Sequence, residues 1–272
     1  MVRRKKIIWQ KEIVNYENFK SLRVLKFERY DFGGQKLPDG IGKLVHLRLF
    51  SLKFCILGEL PSSIFNLPFL QTLDLRVLCG LKIPNVLGKT KRSRHLYLPT
   101  SPNTGEVREK LRLHGLGGLV ILDGFDSSRH EIGDLQEFSN LRFLDASVAD
   151  NKSLSIIIDH MSAIWQNLHE NILRIRETVS ISSEDGNVLL RKILSCGNLH
   201  SLIISAKIIR FPPYEEHFLQ GIVLLTLAST EIHDDPMQTL EKLPQLRFLR
   251  LLSESYVGKE LICHEFGFPQ LR

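Results

Sequence analysis

Leu47-Arg-Leu-Phe50-Ser-Leu52 and Leu70-Gln-Thr-Leu73-Asp-Leu75 are two copies of one pattern, L-x-x-L-x-L, and their spacing decides the fold. Earlier and looser copies are Leu22-Arg-Val-Leu25-Lys-Phe27 and Ser93-Arg-His-Leu96-Tyr-Leu98. Further on stand Leu119-Val-Ile-Leu122 with Gly124 in the third slot, Leu141-Arg-Phe-Leu144-Asp-Ala146 and Leu199-His-Ser-Leu202-Ile-Ile204. Ile222-Val-Leu-Leu225-Thr-Leu227 and Leu246-Arg-Phe-Leu249-Arg-Leu251 complete the set. The intervals are 25, 23, 23, 26, 22, 58, 23 and 24 residues. The 58 is about two repeats, so one copy lies hidden, with Leu168 to Leu173 its expected place and Leu173 and Ile175 pointing inward.

A fixed period in the range of 20–29 residues with this leucine pattern is the signature of a leucine-rich repeat. Within x-L-x-L-x the apolar residues alternate, so each copy is a short strand with one face buried. The expected fold is α/β: a leucine-rich-repeat solenoid, a curved horseshoe with a parallel β-sheet on the concave face and loops and short helices on the convex face. Leu37-Pro38-Asp39-Gly40-Ile41-Gly42-Lys43-Leu44 and Leu60-Pro61-Ser62-Ser63-Ile64-Phe65-Asn66-Leu67 read as two versions of one return, and Leu81 to Leu87 as a looser third. Proline fixes φ, and Leu37, Ile41 and Leu44 plug the core from the return side. Later returns read as helical. Asp235 caps, Pro236 takes the first helical position, and Met237, Leu240 and Leu243 follow at helical spacing; Leu154 to Leu168 reads as a longer return helix. The expected organisation is an N-terminal flank or partial repeat over 1–18, then about ten repeats over 19–272, irregular between 91 and 198 and open at the C-terminal end.

Composition is that of an ordinary folded chain: 43% apolar, 24% charged and a formal charge of +6. Arg3–Lys6 and Lys89–Arg94 are the dense basic runs, and the remaining cations are scattered, which favours a solvated surface over nucleic-acid binding. Cys55, Cys79, Cys196 and Cys263 show no metal-ligand spacing and no dense disulfide pattern. No stretch is long and apolar enough to span a bilayer, and no secretory leader is evident after Met1-Val-Arg-Arg-Lys-Lys. A cytoplasmic location is expected, with membrane-peripheral or nuclear placement as alternatives.

No catalytic signature emerges. His160 and His169 are nine apart, His264-Glu265 lacks a partner, and His233-Asp234-Asp235 at a strand-to-return corner reads as a cap rather than a metal site. There is no G-x-S-x-G elbow. The expectation is no enzyme, no metal and no cofactor. The informative residues are the outward x positions of the strands. Aromatic and arginine side chains are the usual anchors of interfaces. Lys53, Asp74, Arg76, Tyr97, Asp123, Phe125, Phe143, Asp145, Phe248 and Arg250 are therefore the candidate partner-binding residues.

Gly33-Gly34-Gln-Lys-Leu37-Pro38-Asp-Gly-Ile41-Gly42-Lys-Leu44, then Glu59-Leu60-Pro61-Ser62-Ser63-Ile64, Asp235-Pro236-Met237-Gln-Thr-Leu240-Glu241-Lys242-Leu243-Pro244-Gln-Leu246 and Gly267-Phe268-Pro269-Gln270-Leu271, carry a resemblance. They resemble the leucine-rich-repeat region of plant intracellular immune receptors, the coiled-coil NB-ARC disease-resistance proteins, and within them the downy-mildew and viral resistance subgroup. The resemblance spans essentially the whole chain. It implies a protein-interaction module that senses a pathogen effector or a guarded host protein and restrains the receptor's nucleotide-binding switch. The chain has no G-x-x-x-x-G-K-[ST], so ADP or ATP would belong to the absent NB-ARC domain, and the chain resembles only part of such a receptor. The implied partners are the protein ligand and that NB-ARC domain. The alternative is a free-standing adaptor or substrate receptor without an immune role.

Overall fold

The computed structural model describes residues 19, 21–78, 80–99, 109–164, 170–179, 181, 184–208 and 210–272. The expected flank over 1–18 lies outside the described residues, as do Leu168, His169 and Cys79. By mutual contact the chain divides into two units: Met1–Gly124 with Arg129–Asn140, and Phe125–Ser128 with Leu141–Arg272. Each is a leucine-rich-repeat solenoid of parallel strands.

In the first unit β1 (Val24–Lys26), β2 (Leu49–Ser51), β3 (Thr72–Asp74), β4 (His95–Tyr97) and the first four residues of β5 (Ile121–Asp126) pair in chain order. Leu25, Phe50, Leu73, Leu96 and Leu122 stand opposite one another across these strands. Phe50, Leu73, Leu96 and Leu122 are buried, as are Leu52, Leu75 and Leu98 two positions on. A three-residue strand has too little surface to hold itself in water, so each is stable only because its neighbours complete the column. The returns are single 3₁₀ turns. Asp39–Lys43 and Ser62–Asn66 follow Pro38 and Pro61, whose φ of −62° and −72° feed the chain into the turn. Leu37, Ile41, Leu44, Ile64 and Phe65 close the core from this side. Leu87–Lys89 and Ile132–Glu137 repeat the turn with Val86 and Glu131, not proline, at the position before it. Gly88 is required by crowding, since a Cβ there would lie 2.0 Å from the His114 carbonyl.

The second unit carries longer strands and helical returns: β6 (Phe143–Val148), α1 (Asn151–Ala163), β7 (Glu170–Ile175), α2 (Glu184–Leu194), β8 (Ser201–Ile204), β9 (Leu224–Ala228), α3 (Met237–Leu240) and β10 (Phe248–Leu252). The hidden repeat is β7, with Leu173 and Ile175 buried. Its register explains why it was hard to see. Leu173 stands opposite Leu202 on one side but opposite Ala146, not Leu144, on the other. Leu144 faces Asn171, a fully buried asparagine in an inward slot. Its Oδ1 accepts the Leu144 N–H at 3.2 Å and its Nδ2 donates to the Asn198 carbonyl at 3.3 Å, so the polar residue ties three repeats together.

The helix caps follow their chemistry. Asp150 accepts from the Ser153 N–H at 2.8 Å and from the Ser153 hydroxyl at 2.7 Å, so Asn151-Lys152-Ser153 serves as the start of α1. At α3 the expectation shifts by one residue: Pro236 is the N-cap rather than the first helical residue, and Asp235 Oδ1, one position before it, accepts the Met237 N–H at 2.9 Å; Asp234 pairs with Arg210. α3 is only one turn long, and α2 stands where the sequence reading placed no helix.

Asn171→Ala leaves the Leu144 N–H and the Asn198 carbonyl without partners in the core, and is expected to cost about 2–3 kcal/mol. Val188→Ala on the exposed side of α2 should cost under about 0.5 kcal/mol. Urea midpoints of the two variants check the difference.

Candidate functional site

Two charged clusters form on the outward side of the strands, one in each unit, and both follow from parallel register. Outward residues one repeat apart lie about 4.8 Å from each other in the pairing direction. A carboxylate therefore comes within reach of a cation two residues further along the chain, as Asp74 does of Arg76, or one or two strands away, as Asp145 does of Arg174 and Asp126 of Arg176.

In the first unit Asp74 at the end of β3 is buried and held by Arg76. The guanidinium Nε and Nη2 reach Asp74 Oδ1 and Oδ2 at 2.9 and 2.7 Å, a two-pronged pairing that only arginine can make. Arg76 Nη1 also lies 3.5 Å from Asp123 of β5, and the Tyr97 ring of β4 lies under the guanidinium at 4.3 Å. The Asp74 hydrogen bond raises the Arg76 pKa further, although its partial burial works against this. Burial likewise pushes the Tyr97 phenol up. Beside it His95 Nδ1 and the Thr72 hydroxyl are 2.9 Å apart, and burial lowers the His95 pKa, with Arg94 adding to the effect. Lys53 lies over the Phe54 ring at 5.1 Å. Lys26, Glu28, Ser51, Arg76 and Tyr97 help to line a groove of about 310 Å³.

In the second unit Arg174 of β7 pairs with buried Asp145 of β6. Arg176 reaches Asp126, the Ser147 hydroxyl at 2.9 Å and the Ser128 hydroxyl at 3.3 Å. Burial alone would raise the Asp126 pKa. The Ser128 hydroxyl and amide, with Arg176, more than offset it and hold the carboxyl below its ordinary value. Toward β10 the face turns apolar. Phe248, Arg250 and Leu252 are exposed side by side, with Leu224, Thr226 and Ala228 opposite them on β9.

Nine of the ten expected residues stand on this outward side, but not in one state. Asp74 and Asp145 are buried as ion-pair partners, Phe143 and Tyr97 are half-buried, and Phe248 and Arg250 are open. Phe125 corrects the expectation, being 1% exposed and part of the core. The cause is Gly124, which occupies the inward slot of β5 with a φ of +84°. That conformation breaks the two-residue alternation, and Phe125 turns inward where Gly124 offers no side chain. The same break places Asp126 against Arg176. Arg174, Arg176, Asp126 and Ser128 were absent from the sequence reading. Their signal was available only through the register of β7, since Arg174 lies between two inward residues, 29 positions before Ile203.

Among the described residues no group of three or more His, Cys, Asp or Glu is placed to hold a metal, and no helix is long and apolar enough to cross a membrane. Cys55, Cys196 and Cys263 are free thiols. Burial pushes Cys196 up to about 11, which keeps it protonated and unreactive.

Asp126 gives a pH prediction. Its folded pKa is depressed, so its contribution to stability is present above the unfolded pKa and is lost as pH falls through the folded one. Arg176→Ala should cost about 2 kcal/mol at neutral pH, because it leaves a buried carboxylate without its cation, partly offset by solvent at the half-exposed arginine. The difference from wild type should shrink as Asp126 takes up a proton in acid. Denaturation midpoints across the acid range test this, and a pH-independent difference would exclude the pairing as the cause.

The family profile described as "leucine-rich repeat region" matches residues 6–272. Disease resistance protein RPP8 of Arabidopsis thaliana is 32% identical over 265 residues, covering 97% of this chain and 28% of the relative. Probable disease resistance protein RXW24L, from the same plant, is 32% identical over 258 residues, covering 94% of this chain and 28% of its own length. The chain thus spans little more than a quarter of these relatives. Among solved structures, the leucine-rich-repeat ectodomain of the receptor kinase GASSHO1/SCHENGEN3 from Arabidopsis thaliana superposes with a TM-score of 0.59 at 19% identity, over 94% of this chain and 30% of that one. The plant peptide hormone receptor RGFR1 does so with a TM-score of 0.54 at 16% identity, over 89% and 41%. The repeat, the parallel strands and the profile match agree: this chain belongs to the leucine-rich repeat family and is similar to the repeat regions of plant disease resistance proteins.

Proposed function

We propose that the chain is the protein-interaction module of a plant immune receptor. It contacts a pathogen effector or a guarded host protein through the outward side of its strands, and it restrains a nucleotide-binding switch carried elsewhere in the receptor. The observation that supports this most is the continuity of the similarity to disease resistance proteins along nearly the whole chain. The outward side of the strands supplies suitable anchors. Tyr97 and Arg76 form a stacked pair, and Phe248 with Leu252 presents apolar surface beside Arg250. Aromatic and arginine side chains at such places carry most of the energy of a protein contact. No step of this function needs bond chemistry from the chain itself. A cofactor, in this reading, belongs to the switch.

The test is co-expression in leaf tissue of this chain with the nucleotide-binding portion of a disease resistance relative, in a form that triggers cell death by itself. The chain should co-precipitate with that portion and reduce the cell death. Failure of both would overturn the reading. In the same assay Phe248→Ala with Arg250→Ala should leave restraint in place and weaken capture of the sensed protein about tenfold or more.

A further inference from the structure

The sequence between Gly40 and Gly105 holds nine Lys and Arg residues but only two acidic ones, Glu59 and Asp74. Both acids are engaged, Glu59 by Lys82 at 3.5 Å and Asp74 by Arg76. Five of the others, Arg48, Lys89, Lys91, Arg92 and Arg94, are brought together by the repeat, with Arg23 from the preceding one. Arg23, Arg48 and Arg94 occupy the same position, just before the strand, in three repeats, and Gln71 holds it in the fourth. The Arg48 N–H donates to the Arg23 carbonyl, Gln71 to Arg48, and Arg94 to Gln71, each at 2.8 Å. They therefore form one column along the N-terminal ends of β1 to β4, about 14 Å long at the usual strand spacing. Lys89, Lys91 and Arg92 lie on the turn that leads into β4, on the same rim. All six are exposed, and among the described residues none of them forms an ion pair.

This arrangement is not what the repeat does elsewhere. Lys207, Arg210 and Arg191 each meet a carboxylate one repeat on: Glu231, Asp234 and Glu215. On the rim no neighbour one repeat on is acidic: Arg48 follows Arg23, Gln71 follows Arg48 and Val120 follows Arg94. Stacking like charges costs stability and brings no fold benefit. Two exposed apolar residues, Val45 and Phe69, sit within the same rim. Phe69 is stacked with His46 at 6.0 Å between ring centroids, and the Arg92 guanidinium lies 5.1 Å from its ring. A single ring already packed against His46 and Arg92 is not the row of open aromatic platforms on which successive nucleic-acid bases stack.

We infer that the rim formed by Arg23, Arg48, Lys89, Lys91, Arg92 and Arg94 docks on an anionic membrane surface, with the cations on lipid phosphates and carboxylates and with Val45 and Phe69 at the headgroup level. A single-sign cluster of four to eight cations around a little exposed apolar surface is the composition that anionic bilayers select. The contact is peripheral and salt-sensitive. It is independent of the proposed immune function, since it uses the rim rather than the outward side of the strands.

The experiment is flotation of the full chain with phosphatidylcholine vesicles, with and without phosphatidylserine, at low and high salt. Wild type should float only with phosphatidylserine and should be released by salt. Arg48→Glu with Arg94→Glu should weaken binding at least about tenfold, whereas Lys152→Glu with Lys259→Glu, an equal charge change in the second unit, should stay within about twofold. Thermal melts confirm that both variants fold. If the rim variant does not, protection of wild-type Arg48 and Arg94 from phenylglyoxal by phosphatidylserine vesicles decides the matter. Absence of phosphatidylserine-dependent flotation, an equal loss in both variants, or no protection would overturn the inference. So would equal binding to a short DNA duplex at matched phosphate concentration, which would assign the rim to nucleic acid.

Discussion

The structure depends on one constraint: no strand of this chain can bury its own leucines. A three-residue strand such as β3 presents Leu73 and Leu75 to one side, and water is excluded from them only by the same residues of the strands before and after. Burial is thus bought repeat by repeat, and register is the variable that must be kept. Parallel pairing in chain order keeps it, because each return delivers the next strand at the same height. The prolines, the 3₁₀ turns and the glycine that lets the His114 carbonyl approach are devices for setting the length of that return.

Where the inward column is interrupted, the neighbourhood reorganises in a way that reaches the outward face. Gly124 leaves an inward slot empty, Phe125 fills the core, and Asp126 follows it into contact with Arg176. Asn171 takes an inward slot with a polar group, and the backbone of two neighbouring repeats supplies its hydrogen bonds. β7 then carries a two-residue offset between its neighbours, Leu173 facing Ala146 of β6 and Leu202 of β8. Core and surface are coupled through strand alternation, so an exception on one side has a counterpart on the other.

That coupling explains what was legible in the sequence. The fold was readable wherever leucine filled the inward slot, since period and alternation then agree. The returns with proline were readable too, because Pro38 and Pro61 fix a dihedral angle. Phe125 was misread since a glycine carries no sign of the φ it will adopt. Arg174 and Arg176 were missed because Asn171 hides the β7 repeat from a search for apolar residues. The α2 return went unread although its buried residues Leu190, Ile193 and Leu194 stand at helical spacing, because the leucine pattern was searched for strands. Of the basic rim only the Lys89–Arg94 run was legible, because Arg23 and Arg48 are far from it in the chain and join it only once the strands are in register.

Outward residues therefore fall into two physical groups. Asp74, Arg76, Asp145, Arg174 and Arg176 are engaged in ion pairs on the strands, and the burial of Asp74 and Asp145 makes their arginine partners costly to change for any purpose other than holding strands together. Phe248, Arg250, Leu252 and the arginines of the rim owe the fold almost nothing. A repeat scaffold stays folded whatever stands at such positions, provided the inward column is intact, so those positions are where recognition can change without loss of structure. In this chain they carry opposite chemistries, positive charge outside any ion pair among the described residues on the rim of the first unit and apolar surface on the last strands of the second. Two chemistries so different, on positions equally free of the fold, are better matched to two kinds of contact than to one.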